Sequence, residues 1–441
     1  MLPRDLLAPP LGVLLTLSLL SSAARPQDQD PGYTRTYVIQ ADAAWVAPGE
    51  VVAPAFVQIS EGKIDWVSSQ DRRVAPRTPF GAGEKPPIVK VEGTLAAGIV
   101  DAWSGLGPGE LLGERRVRPE RRMREALPAL YSGEDAGLQA QVLTARNAGI
   151  AAVYLATGSS ALRSGIGTAA AFAAVDLPYA TGREALDCAI GGAVAGGPEA
   201  SYQAEELSGA FAAARAWRDS LDDYDEQLEK YEKDLEEYAK KLDEFVKKED
   251  RSDKDKPPTR PKRPKKPQAD AARDVLLEAL DGKLQVRVRA ESLADVRAVL
   301  AMDGQFDLDL VVVGGLEADL AAEALADARI PVILAPGPDI HADGHGERSF
   351  AARWMRLHDA GVEVAIASGG AEGLLLARAG QLVAAGADPN AVWASLTAVP
   401  ARILGLSAHG GIAPGKDASM ILFGGSSPFD ASAPFQTHKP K

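Results

Sequence analysis

The chain has 441 residues, of which 46% are hydrophobic and 25% charged, and this composition is typical of a globular protein with more than one structural unit. Its formal net charge of −13 disfavours nucleic-acid binding, which needs a basic surface, so we expect no nucleic-acid partner. The single cysteine, Cys188, excludes an intrachain disulfide and a cysteine-rich zinc site. We interpret it as a small buried apolar residue.

The first predicted element is an export signal at residues 1–24. Arg4 precedes the apolar stretch Leu11–Leu20, and the small residues SSAA at 21–24 are typical of a cleavage site. The apolar stretch is shorter than an ordinary membrane span. We therefore expect an exported protein, periplasmic or extracellular, without membrane contact after cleavage; an uncleaved anchor is the alternative.

The main part of the chain divides into three regions. Short β-branched runs broken by Pro-Gly and Glu-Gly pairs predict hairpins over residues 33–97. Over residues 98–398, apolar strand patterns alternate with Ala/Leu-rich helical patterns, which favours a parallel α/β fold, either a barrel or an open sheet. Residues 399–438 return to β character.

Residues 204–270 form an insertion with a different pattern. Its apolar residues alternate strictly at intervals of four and three, and almost everything between them is charged; they are Trp217, Leu221, Tyr224, Leu228, Tyr231, Leu235, Tyr238, Leu242 and Phe245. This spacing predicts a coiled-coil-like helix. The Lys/Arg/Pro-rich stretch that follows predicts an exposed, extended linker, with an anionic partner as the alternative.

An apolar stripe at heptad spacing indicates a helical partner. The partner is the same helix in a second chain, which gives a homodimer, or another protein, or the amphipathic segment Ala271–Leu280 of this chain. Packing of the stripe along the outer face of the barrel is a further alternative.

Two motifs carry a resemblance to a known family. The stretch GIVDAWSGLG at 98–107 resembles the motif G-x-I-D-A-H-x-H-L-G, and the stretch from Leu396 to Phe423 resembles T-x-x-P-A-x-x-L-G-L followed by G-x-I-x-P-G-K-D-A-D. Both motifs belong to the imidazolonepropionase-like members of the amidohydrolase superfamily. The resemblance implies a (β/α)8 TIM-like barrel and a composite β-sandwich built from the N- and C-terminal segments. It also implies hydrolysis of C–N bonds with zinc or another divalent metal.

The metal-ligand positions of that family are substituted in this chain. The resemblance places Trp103 and Gly105 where the first histidine pair belongs, Arg289 and Glu291 where a later histidine pair belongs, and Gly369, after Ser368, where an aspartate belongs. No histidine precedes His341, and no lysine lies between Lys90 and Lys230. We therefore expect no metal cofactor and assign no catalytic and no metal-binding residue.

The candidates for a ligand pocket are Asp101, Trp103, Arg289, Glu291 and Ser368. Arg289 and Glu291 alternate on one strand, so their side chains face the same way. Two buried charges need a mutual or Asp101-linked ion pair, and loss of one partner would cost about 3–5 kcal/mol. Trp103 would fill the vacated volume. A register shift to the outer face is the alternative, and Asp101 could simply hold the backbone.

The remaining histidines are weaker candidates. The stretch DIHADGHGE offers Asp339, His341, Asp343, His345 and Glu347 as ligands, but its Gly and Asp content indicates an exposed loop. His358 is interpreted as a surface or helix-end residue and His409 as structural.

The function expected is that of an exported, catalytically degenerate protein that binds a small-molecule ligand or a partner. Two alternatives stay open: a hydrolase of non-peptide C–N bonds that uses atypical ligands, and a structural protein that works through its coiled-coil arm.

Overall fold

The computed structural model describes residues 36–75, 77–78, 81–106, 119–130, 136–157, 161–172, 178–193, 200–247, 256–335, 340–342, 346–430 and 435–438. The predicted export signal lies outside these ranges. Among the helices of the described part, none combines the length and the apolar character needed to cross a membrane.

The strands, in chain order, are β1 Thr36–Ala41, β2 Ala43–Ala47, β3 Glu50–Val52, β4 Ala55–Ser60, β5 Lys63–Ser68, β6 Arg77–Thr78, β7 Gly81–Ala82, β8 Ile88–Lys90, β9 Thr94–Ala97, β10 Ile99–Asp101, β11 Ile150–Leu155, β12 Arg163–Phe172, β13 Pro178–Ala189, β14 Gln285–Ala290, β15 Leu310–Gly314, β16 Val332–Leu334, β17 Ile340–Ala342, β18 Gly346–Arg348, β19 Val364–Ile366, β20 Met420–Phe423 and β21 Phe435–His438.

The helices are α1 Met123–Leu130, α2 Ala136–Asn147, α3 Ala200–Lys247, α4 Ala271–Leu280, α5 Leu293–Phe306, α6 Ala322–Asp327, α7 Phe350–Asp359, α8 Leu375–Ala384, α9 Pro389–Leu396 and α10 Ala398–Ile403, with short 3-10 helices at Gly191–Ala193, Ala318–Ala321 and Glu372–Leu374.

Two sheets lie outside the barrel and combine both ends of the described chain. One has the order β5-β4-β1-β8, and the other has the order β21-β20-β9-β2-β3. In β4 every second residue is buried, the pattern of a sheet with one face in the core. Ile39, Val57, Leu95 and Met420 belong to one shared apolar cluster, so residues from the N- and C-terminal segments are buried together.

The central sheet has eight strands in the order β10-β11-β12-β13-β14-β15-β16-β19. Its first and last strands meet just beyond their ends, where the Gly369 N–H donates to the Trp103 carbonyl oxygen over 3.0 Å. The sheet therefore curls into a nearly closed barrel. One apolar cluster, with Tyr154 and Val311, lies inside it, and a larger cluster joins the outer face to the helices.

One strand departs from the (β/α)8 pattern expected from the resemblance. β12 runs antiparallel to both β11 and β13, whereas the other neighbouring pairs of this sheet are parallel. The reason is the length of its connections, because a parallel crossover needs a dozen or more residues. The segments from Leu155 to Arg163 and from Phe172 to Pro178 are shorter than that.

The insertion lies in the crossover between β13 and β14. Its helix, α3, is continuous over 48 residues and begins before the apolar stripe. Leu207, Phe211 and Ala214 near its start are fully buried, and the ring of Phe211 lies 5.7 Å from that of Phe306 in α5. This anchors the first four turns of α3 to the outside of the barrel.

Candidate functional site

Asp101 ties the two closing strands of the barrel together at their C-terminal ends. Its Oδ1 accepts hydrogen bonds from the N–H of Trp103 over 3.1 Å and from the N–H of Ser368 over 3.0 Å. The Ser368 hydroxyl donates to the Trp103 carbonyl over 3.2 Å and accepts from the Gly370 N–H over 3.1 Å. Three predicted pocket residues therefore form one hydrogen-bonded unit.

The Asp101 carboxyl is fully buried. Burial raises its pKa to about 6, because the loss of hydration outweighs the hydrogen bonds from Ser368 and Trp103. Its second oxygen, Oδ2, has no hydrogen-bond partner in the described part of the chain. The carboxyl thus acts in part as the backbone clamp that the sequence offered as an alternative, and it also keeps one uncommitted oxygen.

Arg289 and Glu291 form the predicted ion pair at the mouth of the barrel. The Arg289 Nε donates to the Glu291 Oε1 over 3.1 Å, and the Glu291 Oε2 accepts from the Leu316 N–H over 3.3 Å. The guanidinium carbon of Arg289 lies 4.9 Å from the centre of the Trp103 ring. The five predicted pocket residues are therefore connected through Trp103.

This pair is less buried than we expected from the sequence. The side chains of Arg289 and Glu291 keep 29% and 27% of their accessible surface. Water therefore reaches both charges and screens them, so the pair does not carry the large cost of a buried ion. The expected destabilisation of 3–5 kcal/mol on loss of one partner does not apply to it.

A second charged group lies deeper and was not among the predicted residues. Arg287 is only 3% exposed, and its Nη2 donates to the Ala102 carbonyl over 2.6 Å. Its guanidinium carbon lies 3.6 Å from the centre of the Tyr154 ring, and its Nε lies 3.8 Å from the Asp187 Oδ1. A cation is thus held across the barrel interior at the end of β10.

Asp187 completes this interior network. The Tyr154 hydroxyl donates to the Asp187 Oδ1 over 3.0 Å, and the Thr157 N–H donates to the Oδ2 over 3.2 Å. Burial raises the pKa of Asp187 to about 6, against the opposing effect of the Arg287 charge and the hydrogen bonds. Burial also raises the pKa of Tyr154 well above its usual value.

A sequence signal for this network existed. Arg287 precedes Arg289 by two residues, so the same alternation that orients Arg289 orients Arg287. Val288 and Cys188 belong to the outer cluster, which leaves Arg287 and Asp187 on the inner face of their strands. The histidine motif that the resemblance places on β14 has no ligand at the position of Arg287, so the resemblance did not direct attention to it.

The residues at the strand ends do not fit a divalent metal. Where the family has its second histidine, a Cβ on Gly105 would lie 2.9 Å from the Gly370 Cα and 3.2 Å from the Glu372 Oε1. The place of the first imidazole holds Trp103, and the guanidinium of Arg287 donates to the carbonyl oxygen of the preceding residue, Ala102. Neither indole nor guanidinium is a metal ligand. In the ranges that the structure covers, no group of three or more His, Cys, Asp or Glu side chains converges on a metal position.

The alternative ligand loop is only partly described. Asp339, Asp343 and His345 lie outside the described residues. His341 and Glu347 are register partners in the β17–β18 hairpin.

The other singled-out residues have structural surroundings. His358 is exposed in the last turn of α7, and its ring stacks on Trp354 at 4.8 Å. His409 is buried with its Nε2 3.5 Å from Asp417, and burial lowers its pKa. Cys188 is buried, and the loss of hydration raises the pKa of its thiol.

Comparison by sequence gives no relative: no protein-family model matches the chain, and no curated protein matches it either. Comparison by structure gives many. The amidohydrolase from Thermotoga maritima MSB8 superimposes with a TM-score of 0.66 at 18% identity, over 91% of this chain and 97% of that one.

Two further neighbours are more distant. The β-aspartyl dipeptidase from Fervidobacterium islandicum AW-1 covers 90% of this chain and 94% of its own, with a TM-score of 0.44 and 12% identity. Phenylurea hydrolase B covers 90% and 93%, with a TM-score of 0.46 and 15% identity. At these identities only the fold is shared, and it is the fold of the Thermotoga maritima amidohydrolase.

Proposed function

We propose that this chain is an exported, catalytically degenerate member of the amidohydrolase superfamily, resembling its imidazolonepropionase-like branch, that binds a small molecule at the barrel mouth. The observation that carries the proposal is the guanidinium of Arg287, held by Ala102, Tyr154 and Asp187 at the strand ends. A fixed positive charge in a low-dielectric interior repels a divalent cation and leaves no bound hydroxide for hydrolysis.

The groups at the mouth support binding of an anionic ligand. Trp103 offers an aromatic surface, and Arg289 and Glu291 are both partly exposed. Only the Nε of Arg289 is hydrogen-bonded within the described residues, so the two terminal nitrogens are free to form a forked contact with a carboxylate. An aromatic surface with a few oriented polar groups is typical of small-molecule sites.

The ligand class is tested by a thermal-shift screen of small mono- and dicarboxylates and their amides. A ligand that binds only the folded state raises the melting temperature in proportion to its occupancy. We expect carboxylates to stabilise the wild type and to lose this effect in Arg289→Ala. The matched control is Arg297→Ala, on the exposed face of α5; carboxylates should stabilise this variant as they stabilise the wild type. Turnover of any of the amides that depends on an added divalent metal would contradict the proposal.

Export is a separate part of the proposal and rests on residues 1–24 alone. Cleavage after the small residues leaves a mature chain that starts near Arg25. Intact-mass measurement of the protein from the periplasmic or extracellular fraction of an expressing cell should give that shorter chain. A full-length chain in the membrane fraction would identify an uncleaved anchor instead.

A further inference from the structure

The outer part of α3 carries an apolar stripe that is partly shielded from solvent. The nine stripe residues between Trp217 and Phe245 are all half-buried, whereas most of the residues between them are exposed. The fully buried residues of α3 lie at its start, and α3 contacts α4 and α5. The stripe extends over about eight turns beyond these buried residues, so most of its cover must come from another part of the molecule.

The segment after the helix has a burial pattern of its own. Residues 256–270 form no helix and no strand, yet Pro258, Pro261, Pro264 and Pro267 are half-buried while the other residues from 256 to 268 are exposed. A three-residue period is that of the left-handed polyproline II helix. One face of such a helix therefore touches the rest of the chain along its length.

Local stereochemistry favours this conformation. Each proline fixes its own φ near −65° and restricts the residue before it to extended or polyproline II geometry. With a proline at every third position, two of every three residues from 257 to 267 are constrained in this way. The segment is therefore a stiff rod and not a flexible connector.

The connectivity places this rod beside the stripe. The segment begins eight residues after α3 ends, and it leads directly into α4. α4 contacts α3, and Asp281 at its C-cap lies 2.9 Å from Arg218 near the base of the stripe. The chain must therefore return from the far end of α3 to its base within residues 248–281, and α4 is the last part of that path.

The segment is long enough to cover most of the stripe. From Trp217 to Phe245 the helix spans about 42 Å, and residues 256–267 in polyproline II geometry span about 34 Å. The stripe has an aromatic residue at every seventh position, a repeat of about 10.5 Å, and the prolines repeat every 9.3 Å or so. The two repeats are therefore similar in length, so successive prolines can meet successive aromatic side chains; the aromatic residues of the stripe are Trp217, Tyr224, Tyr231, Tyr238 and Phe245.

The charges are also complementary. Residues 217–247 contain twelve acidic and six basic side chains, whereas residues 256–270 contain six basic side chains and one acidic one. The two segments therefore attract each other when they lie side by side, although exposure to water keeps this attraction weak.

We propose that the stripe of α3 is occupied by residues 256–267 of the same chain, which lie antiparallel to the helix as a polyproline II rod with their prolines against the aromatic side chains. The arm, residues 217–270, is then a closed hairpin of an α-helix and a polyproline II helix. It requires no second chain, and its outer ridge carries Arg260, Lys262, Arg263, Lys265 and Lys266 in a fixed row.

The first test is hydrogen exchange on the full chain. Pro261→Gly with Pro264→Gly removes the stiffness and the ring contacts at the middle of the arm. We expect amides from 224 to 242 to exchange at least tenfold faster, while those from 203 to 214 at the anchored base stay unchanged. Lys262→Ala with Lys265→Ala alters the exposed positions of the same segment and should leave exchange as in the wild type. Unchanged exchange in the proline variant would overturn the proposal.

The second test is the molar mass by light scattering over a wide concentration range. If the arm is closed, the apolar stripe contributes nothing to self-association. The wild type is then either a monomer or an oligomer held together elsewhere, and in both cases the double variant Leu228→Lys with Leu235→Lys has the same molar mass as the wild type. A dimer that this double variant converts to a folded monomer would show that a second chain occupies the stripe and would overturn the proposal.

Discussion

At the scale of single residues, Asp101 provides the most direct probe of the barrel interior. Asp101→Asn keeps the oxygen that accepts from Trp103 and Ser368 and replaces the unpartnered Oδ2 with a neutral group. Removal of a buried charge whose pKa is raised to about 6 should increase the free energy of unfolding at about pH 8 by roughly 1–3 kcal/mol. Urea denaturation measures this. A clear loss of stability would mean that the carboxylate has a cationic partner.

The same carboxyl groups set a dependence of stability on pH. The pKa values of Asp101 and Asp187 are both raised to about 6 in the folded protein, so the folded state binds more protons than the unfolded state between about pH 4 and pH 6. These two carboxyls should therefore add stability as the pH falls from about 7.5 to about 5, while buried His409, whose pKa is lowered, opposes them below about pH 6.5. The urea midpoint at each pH, compared between the wild type and Asp101→Asn, isolates the part due to Asp101, and the wild type should gain more stability on acidification than the variant. Identical pH profiles of the two proteins would contradict the raised pKa of Asp101.

The half-exposed pair at the mouth should matter far less for folding. In Glu291→Gln the side chain still accepts from the Leu316 N–H, and the Arg289 guanidinium remains accessible to water. We expect a loss of about 1 kcal/mol or less in the free energy of unfolding. A loss of about 3 kcal/mol or more would show that the pair is sealed from water, as a buried pair is.

At the scale of elements, β12 depends on a close approach between strands. A Cβ on Gly167 would lie 2.7 Å from the Asp187 Oδ2 and closer still to the Tyr154 hydroxyl. Gly167→Ala should therefore push apart the Tyr154–Asp187 hydrogen bond and lower the melting temperature, at a cost of about 1–3 kcal/mol.

The matched control is Gly209→Ala, since a Cβ at Gly209 in α3 has open space around it. Alanine is the better helix former, so this variant should gain about 0.5–1 kcal/mol. Differential scanning calorimetry compares the two variants. Equal melting temperatures would show that β12 can shift to accept a side chain.

An element could be predicted from the sequence where its interactions are local, and could not where they join residues far apart in the chain. The strand–helix alternation and the strand-end positions of Asp101, Trp103 and Ser368 could be predicted because these residues lie within recognisable local motifs. The direction of β12 could not, because it depends on which strands it pairs with across the sheet. The prolines at every third position were visible, but their role emerges only once α4 is seen at the base of α3.

At the scale of the whole molecule, the two chain ends depend on each other. Met420 and Phe423 of β20 are buried, β20 pairs with β9, and the Phe423 ring meets the Trp393 ring edge-on at 5.7 Å. Deletion of 418–441 should therefore expose both apolar clusters and abolish cooperative melting. Deletion of 431–441 removes only the edge strand β21 and should leave a folded protein with a lower melting temperature. Differential scanning calorimetry of both truncated proteins provides the measurement. A melting temperature close to that of the wild type after deletion of 418–441 would contradict the dependence of the two chain ends on each other.

The central claim is that a barrel with the fold of the Thermotoga maritima amidohydrolase here encloses the guanidinium of Arg287 and holds no metal at its strand ends. Elemental analysis of the protein, purified without chelator from medium that contains zinc, iron and manganese, tests it most directly. We expect well under one equivalent of any of these metals per chain. One tightly bound ion per chain in the wild type would contradict it.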